Sequence, residues 1–122
     1  MKRDFTYIDD IVEGIVRIIE KIPNANASWD GADPDPPTSF APYRIYNIGN
    51  NEPVCLVDFI AILEEELGRT AKIIMCPMQP GDVQETCADI GNIMDDTGYK
   101  PETDIRAGLK RFVLWYREYY NC

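Results

Sequence analysis

Three side chains in this sequence, Arg3, Gln79 and Asp82, have the chemistry to hold a phosphorylated ligand. A guanidinium presents a planar fork of N–H donors that matches two phosphate oxygens at once. A carboxylate accepts two hydroxyl hydrogen bonds, as a ribose diol offers. Asp82 follows Gly81, whose missing side chain lets the backbone turn. Gln79 can donate hydrogen bonds to an anion but brings no charge. The chain carries 12 basic and 21 acidic residues, a net charge of −9. Such a chain binds an anion only through a local basic site, which gives Arg3 its weight. The same balance argues against nucleic acid, whose phosphates need a basic face. The plainer alternatives are an Arg3 paired with Asp4 and a Gly81-Asp82 turn with no ligand.

The elements that must position these residues follow from pattern. At 122 residues, 45% apolar and 27% charged, the chain is one soluble domain with a small core. Ile11, Val12, Ile15, Val16, Ile18, Ile19 and Ile22 recur at three- and four-residue steps, which predicts a helix from Asp10 to Ile22. Asp10 and Glu13 have capping-box spacing, with Asp10 as the helix N-cap. Residues 23–42 hold five prolines and read as a long loop, anchored or made a ligand cover by Trp29 and Phe40. Tyr43–Ile48 alternates like a strand. Leu56–Leu67 is a helix closed by Gly68. Lys72–Cys76 is a second strand, and Thr86–Ala88 can form a third, short one. Ile90–Thr97 is a short helix closed by Gly98. Thr103 caps a last helix from Asp104 to about Tyr119, with Ile105, Leu109, Phe112, Val113 and Tyr116 on its buried stripe. Trp115, Tyr116, Tyr119 and Tyr120 form the aromatic side of the core and a helix–lobe contact. The fold class is mixed α/β, about four helices with few strands. Cys55, Cys76, Cys87 and Cys122 show no metal-site or redox spacing and read as reduced, mostly buried thiols of a cytoplasmic protein. No apolar run reaches the roughly 20 residues of a membrane span.

Several segments, taken in order, resemble one enzyme family. Arg3-Asp4-Phe5-Thr6-Tyr7-Ile8-Asp9-Asp10 looks like its "RDFxYxxD" segment, and Tyr46-Asn47-Ile48-Gly49 like its "YNIG" strand-turn. Pro77 to Asp82 with Ala88-Asp89, then Gly98-Tyr99-Lys100-Pro101, then Gly108 with Trp115-Tyr116 continue the likeness. The family is the extended short-chain dehydrogenase/reductases, which includes NAD-dependent nucleotide-sugar epimerases and dehydratases. Gln79-Pro80-Gly81-Asp82-Val83 narrows the likeness to UDP-glucuronate 4-epimerases. The resemblance implies that the 122 residues form the C-terminal, UDP-sugar-binding lobe. Arg3 would meet the diphosphate and Asp82 the ribose. Gln79 departs from relatives that carry an Arg there. The chain holds no Gly-rich strand–turn–helix for a dinucleotide and no Tyr-x-x-x-Lys pair, the family's acid/base machinery. No residue here is therefore expected to be catalytic or to bind a cofactor or metal. NAD belongs to the full-length parent, and the expected partners are a UDP-sugar and the missing N-terminal Rossmann domain. A binding or assembly module without catalysis is the alternative, with self-association through the apolar face meant for that domain.

Overall fold

The computed structural model describes all of residues 1–122. It contains β1 (Lys2–Arg3), α1 (Ile8–Ile19), β2 (Val54–Cys55), α2 (Leu56–Leu67), α3 (Gly91–Thr97) and α4 (Ile105–Tyr120). β1 and β2 are antiparallel, with Lys2 opposite Cys55 and Arg3 opposite Val54. On its other edge β1 bonds residues 84–86: Lys2 N–H donates to Gln84 C=O (2.9 Å) and Thr86 N–H to Lys2 C=O (3.3 Å). Four helices around a minimal sheet match the expected mixed class.

α2 has the expected limits, and its Gly68 takes the left-handed conformation (φ 66°) that closes a helix cheaply only without a Cβ. α3 ends the same way at Gly98. Two cap expectations are corrected. Asp104, not Thr103, caps α4, its carboxylate accepting from Ala107 N–H at 3.0 Å. α1 starts at Ile8, after Tyr7, with no side-chain cap. Asp10 therefore lies inside the helix, buried, and accepts from Glu102 N–H (3.2 Å) and Thr103 N–H (3.1 Å). It ties α1 to the entry of α4 instead of capping its own turn.

Neither long strand forms. Lys72–Cys76 is coil and exposed throughout. Tyr43–Ile48 keeps its alternation, with Arg44, Tyr46 and Ile48 half-buried and Tyr43, Ile45 and Asn47 exposed. Yet no strand pairs with it; Ile45 N–H finds only Pro37 C=O (3.0 Å). A period-2 pattern makes a strand only where a ladder partner exists. The 23–42 segment is closed on itself by Asn26 N–H to Ser39 C=O (2.8 Å) and Asn26 Nδ2 to Thr38 Oγ1 (3.0 Å). Trp29 and Phe40 pack on each other, with ring centroids 5.7 Å apart.

The core is small. Ile90, Ile93 and Tyr99 form its centre, backed by Ile18, Tyr46, Ile48 and Ala88. The Tyr99 ring lies on α1 at Gly14, where a Cβ would come within 3.2 Å of it. Burial, then the Asp10 and Asp4 charges, push the Tyr99 phenol above the ordinary tyrosine range. A second contact joins α2 to α4, where Leu109 and Val113 are buried.

The apolar stripes are largely unburied. α1 buries Asp10 and Gly14, whereas Ile8, Val12, Ile15, Val16 and Ile19 face solvent. On α4, Phe112, Trp115, Tyr116, Tyr119 and Tyr120 form an exposed ladder, with the Trp115 and Tyr119 rings stacked at 5.4 Å, not the expected side of the core. Three thiols expected to be buried, Cys76, Cys87 and Cys122, are exposed; Cys55 is half-buried, and all four are free. The accessible surface is 9123 Å². A compact monomer of 13.9 kDa would expose roughly 6,700 Å². The difference, about 2,400 Å², exceeds the roughly 800 Å² that each partner gives to a standard interface. No helix is long and apolar enough to cross a membrane.

Candidate functional site

Arg3 sits on β1, half-buried, between β2 and residues 84–86. Its Nη1 donates to Lys2 C=O (2.8 Å), and it forms no ion pair with any carboxylate. The expected competitor, Asp4, accepts four backbone N–H groups from Asn50, Asn51, Glu52 and Ala88 instead. Gln79 and Asp82 lie on an exposed turn, closed by Asp82 N–H to Gln79 C=O (3.2 Å), with Gly81 at φ 93°. Two residues of chain, at most ~7 Å, separate Asp82 from Gln84, and Gln84 is bonded to Lys2. The strand bearing the guanidinium and the loop bearing the carboxylate thus share one edge of the molecule. Asp9 is exposed and lies 3.6 Å from the Arg111 guanidinium.

The two main hollows lie elsewhere, and Arg3, Gln79 and Asp82 line neither. One, of about 400 Å³, is apolar and opens between α2, α4 and the chain leaving β1, lined by Phe5, Tyr7, Phe59, Leu63, Ile105 and Phe112. Phe5 and Phe59 stack across it at 4.3 Å. The other, of about 360 Å³, is polar and is framed by Lys21, Asn24, Thr38, Arg44, Tyr46 and Asp96.

The polar hollow has its own charge network. Tyr46 Oη donates to Asp96 Oδ2 (2.8 Å), and Arg44 Nη2 lies 2.9 Å from the same oxygen. The Tyr46 bond, the largest influence, holds the Asp96 carboxyl below the usual aspartate range; burial, next in size, opposes it, and the Arg44 bond and the Arg44 and Lys21 charges add to the lowering. Burial first, then the Asp96 bond, raises the Tyr46 phenol. A carboxylate lowered by folding stabilises the fold above the ordinary value near 4 and loses that contribution as pH falls through the lowered value. A phenol raised by folding contributes below about pH 10 and loses it at higher pH. Tyr46→Phe is expected to return the Asp96 carboxyl toward the usual range, read from its ¹³C titration. An unmoved titration would show that Arg44 alone sets it. Tyr46 also packs against the core from its unpaired extended segment, and Asn47 Nδ2 donates to Asp89 C=O (3.2 Å). The Arg44–Tyr46–Asp96 group was not legible in the sequence, because 50 residues separate Tyr46 from Asp96 and no short motif links them.

A dinucleotide does not fit the residues present. Its pyrophosphate is cradled where a parallel strand runs through a Gly-rich turn into a helix. The helices here follow Tyr7, Cys55, Ile90 and Asp104, and the one sheet is a two-residue antiparallel pair.

No protein-family model matches the chain. Protein CapI of Staphylococcus aureus is 52% identical over 121 residues, which are 99% of this chain and 36% of that protein. A probable UDP-glucuronate 4-epimerase of Rhizobium meliloti is 41% identical over 122 residues, again 99% of this chain and 36% of the relative. Among solved structures, UDP-glucuronic acid 4-epimerase from Bacillus cereus, in complex with UDP-glucuronic acid and NAD, superposes with a TM-score of 0.72 at 26% identity. That match covers 96% of this chain and 32% of the enzyme. The chain thus spans about a third of the length of the curated relatives it matches. It is homologous to part of the NAD-dependent nucleotide-sugar epimerases.

Proposed function

We propose that this chain is the UDP-sugar-binding, C-terminal lobe of a nucleotide-sugar epimerase, with UDP-glucuronate 4-epimerase as the parent activity. The observation that carries the reading is the state of Arg3. It is a half-buried guanidinium without a carboxylate partner in a chain of net charge −9, whereas Arg69 and Arg117, which also lack ion pairs, are exposed. It stands on a strand bonded to residues 84–86, close after the Asp82 turn. Arg3 would take the diphosphate, Asp82 the ribose diol, and Gln79 would add an uncharged hydrogen bond. The proposed parent reaction inverts C4 of UDP-glucuronate through a 4-keto sugar, with NAD supplying the hydride chemistry from the rest of the protein. This chain would bind and present the nucleotide, without handling hydride or proton.

The proposed partner follows from the surface. An aliphatic face on α1, an unpaired extended segment at 43–48, and the excess area all support docking onto a larger body, which we take to be the Rossmann domain of the parent. Free thiols support a reducing compartment, the cytoplasm.

The test is an NMR titration of the chain with UDP and with uridine. Weak, millimolar binding is expected, because a split site lacks half of its contacts and preorganisation. UDP should bind more tightly than uridine, and Arg3→Ala should lower UDP affinity by about tenfold, the scale of one charge-assisted hydrogen bond, with uridine unaffected. Equal UDP binding by the two proteins would remove Arg3 from the site. Formation of UDP-galacturonate from UDP-glucuronate and NAD by the chain alone would overturn the incomplete-enzyme reading. Concentration-dependent self-association with no response to UDP would favour an assembly module, a reading that the open aliphatic face of α1 also supports.

A further inference from the structure

Asp4 follows Arg3 directly, and its carboxylate is committed to the main chain. Oδ1 accepts from Asn50 N–H (3.2 Å) and Glu52 N–H (3.4 Å). Oδ2 accepts from Asn51 N–H (3.1 Å) and Ala88 N–H (2.8 Å). The Asp4 N–H donates to Thr86 Oγ1 (3.1 Å). These bonds join three segments distant in sequence: the opening strand, the 49–52 turn, and the stretch that leaves the Gln79–Asp82 turn. Gly49 lets them close up, since a Cβ there would fall 2.8 Å from Asp4 Oδ2.

Two consequences concern the anion site. A carboxylate has about four lone-pair positions, and four N–H groups occupy them here. Asp4 therefore has no lone pair left for a direct hydrogen bond from the guanidinium beside it, and Arg3 forms no ion pair. The same bonds set how β1 lies against residues 84–88, and hence where Arg3 stands relative to the turn carrying Asp82. We infer that Asp4 is a positioning residue for nucleotide diphosphate binding: it sets the register of the Arg3 strand and leaves the guanidinium free for phosphate. The inference rests on the reading of Arg3 as the phosphate ligand. Geometry makes the residue type specific. Asparagine would turn an NH₂ group toward two of the N–H donors, and glutamate is one methylene too long to keep both oxygens on these four donors.

The full chain and its Asp4→Asn variant are titrated with UDP and with uridine by NMR. The wild-type chain should prefer UDP. The folded variant should bind uridine as wild type does and lose UDP affinity by about tenfold, the effect of a misplaced charge-assisted contact. A purely structural role would lower both affinities or neither. A folded D4N with the wild-type UDP-to-uridine ratio overturns the inference and leaves Arg3 in place. A wild-type chain that binds UDP no better than uridine overturns the reading of Arg3 itself. Should D4N not fold, the wild-type spectrum decides. The Arg3 Nε–H and the amides of Asn51 and Ala88 are expected to shift with one UDP midpoint. A shift of Arg3 alone overturns the inference.

Discussion

Gly49→Ala is expected to destabilise the chain by about 3 kcal/mol, the upper range for forcing an extra methyl into a closed site. The added Cβ would clash with the Ala88 Cβ and lie 2.8 Å from Asp4 Oδ2. Neither neighbour can step aside as the end of a long side chain could. Ala88 Cβ is fixed to the backbone, and Asp4 Oδ2 is held by Asn51 and Ala88 N–H groups. Relief requires the 84–88 stretch to move away, which breaks the 2.8 Å bond from Ala88 and loosens its pairing with Lys2. Gly49 C=O also accepts the Tyr99 hydroxyl at 3.2 Å, so the disturbance reaches the centre of the core. Urea unfolding followed by Trp fluorescence should show a midpoint lower by at least about 1 M at a slope of 1–3 kcal/mol per M. An unchanged midpoint would mean that the 84–88 stretch slides at no cost.

Asp10→Ala should be nearly as damaging, at about 3 kcal/mol. The carboxylate is 9% exposed and satisfies the backbone N–H groups of Glu102 and Thr103. Its removal leaves two part-buried donors without partners, at roughly 1–3 kcal/mol for each fully desolvated group. Asp10→Asn keeps one acceptor oxygen and should lose about half as much. The measurement that separates this from a generic surface effect is hydrogen exchange at Thr103, which should accelerate well before exchange in α2 changes. A D10A chain with wild-type stability would show that water reaches the 102–103 backbone once the side chain is gone.

These two sites show why part of the fold was legible and part was not. Gly68 and Gly98 mark helix ends through a local backbone requirement, so both helices could be closed correctly from sequence. Asp10 stood where a cap and a capping-box partner fit the local spacing, yet the helix begins two residues earlier and the carboxylate serves residues 102 and 103. Local spacing cannot register a partner more than 90 residues away. The apolar period of α1 correctly announced a helix but not which side it would bury. Tyr99 packs on Gly14, and the aliphatic face stays open. Tyr43–Ile48 and Lys72–Cys76 carry strand-forming residues without finding a strand to pair with.

The candidate site divides in the same way. Arg3, Gln79 and Asp82 could be chosen from the chemistry of their side chains and from the motifs around them. That Asp4 turns its carboxylate into the main chain, so that Arg3 is left unpaired, depends on bonds to residues 50–52 and 88.

By itself, the sequence determined the helices, the turns and the charge balance, because periodicity, glycine conformations and side-chain chemistry act within a few residues. Only the tertiary structure decided which faces are buried, which carboxylates are consumed by backbone donors, and which cations find an ion pair. Those outcomes depend on contacts between segments far apart in the chain, where one buried hydrogen bond, at about 1 kcal/mol, exceeds the helix preference of an ordinary residue.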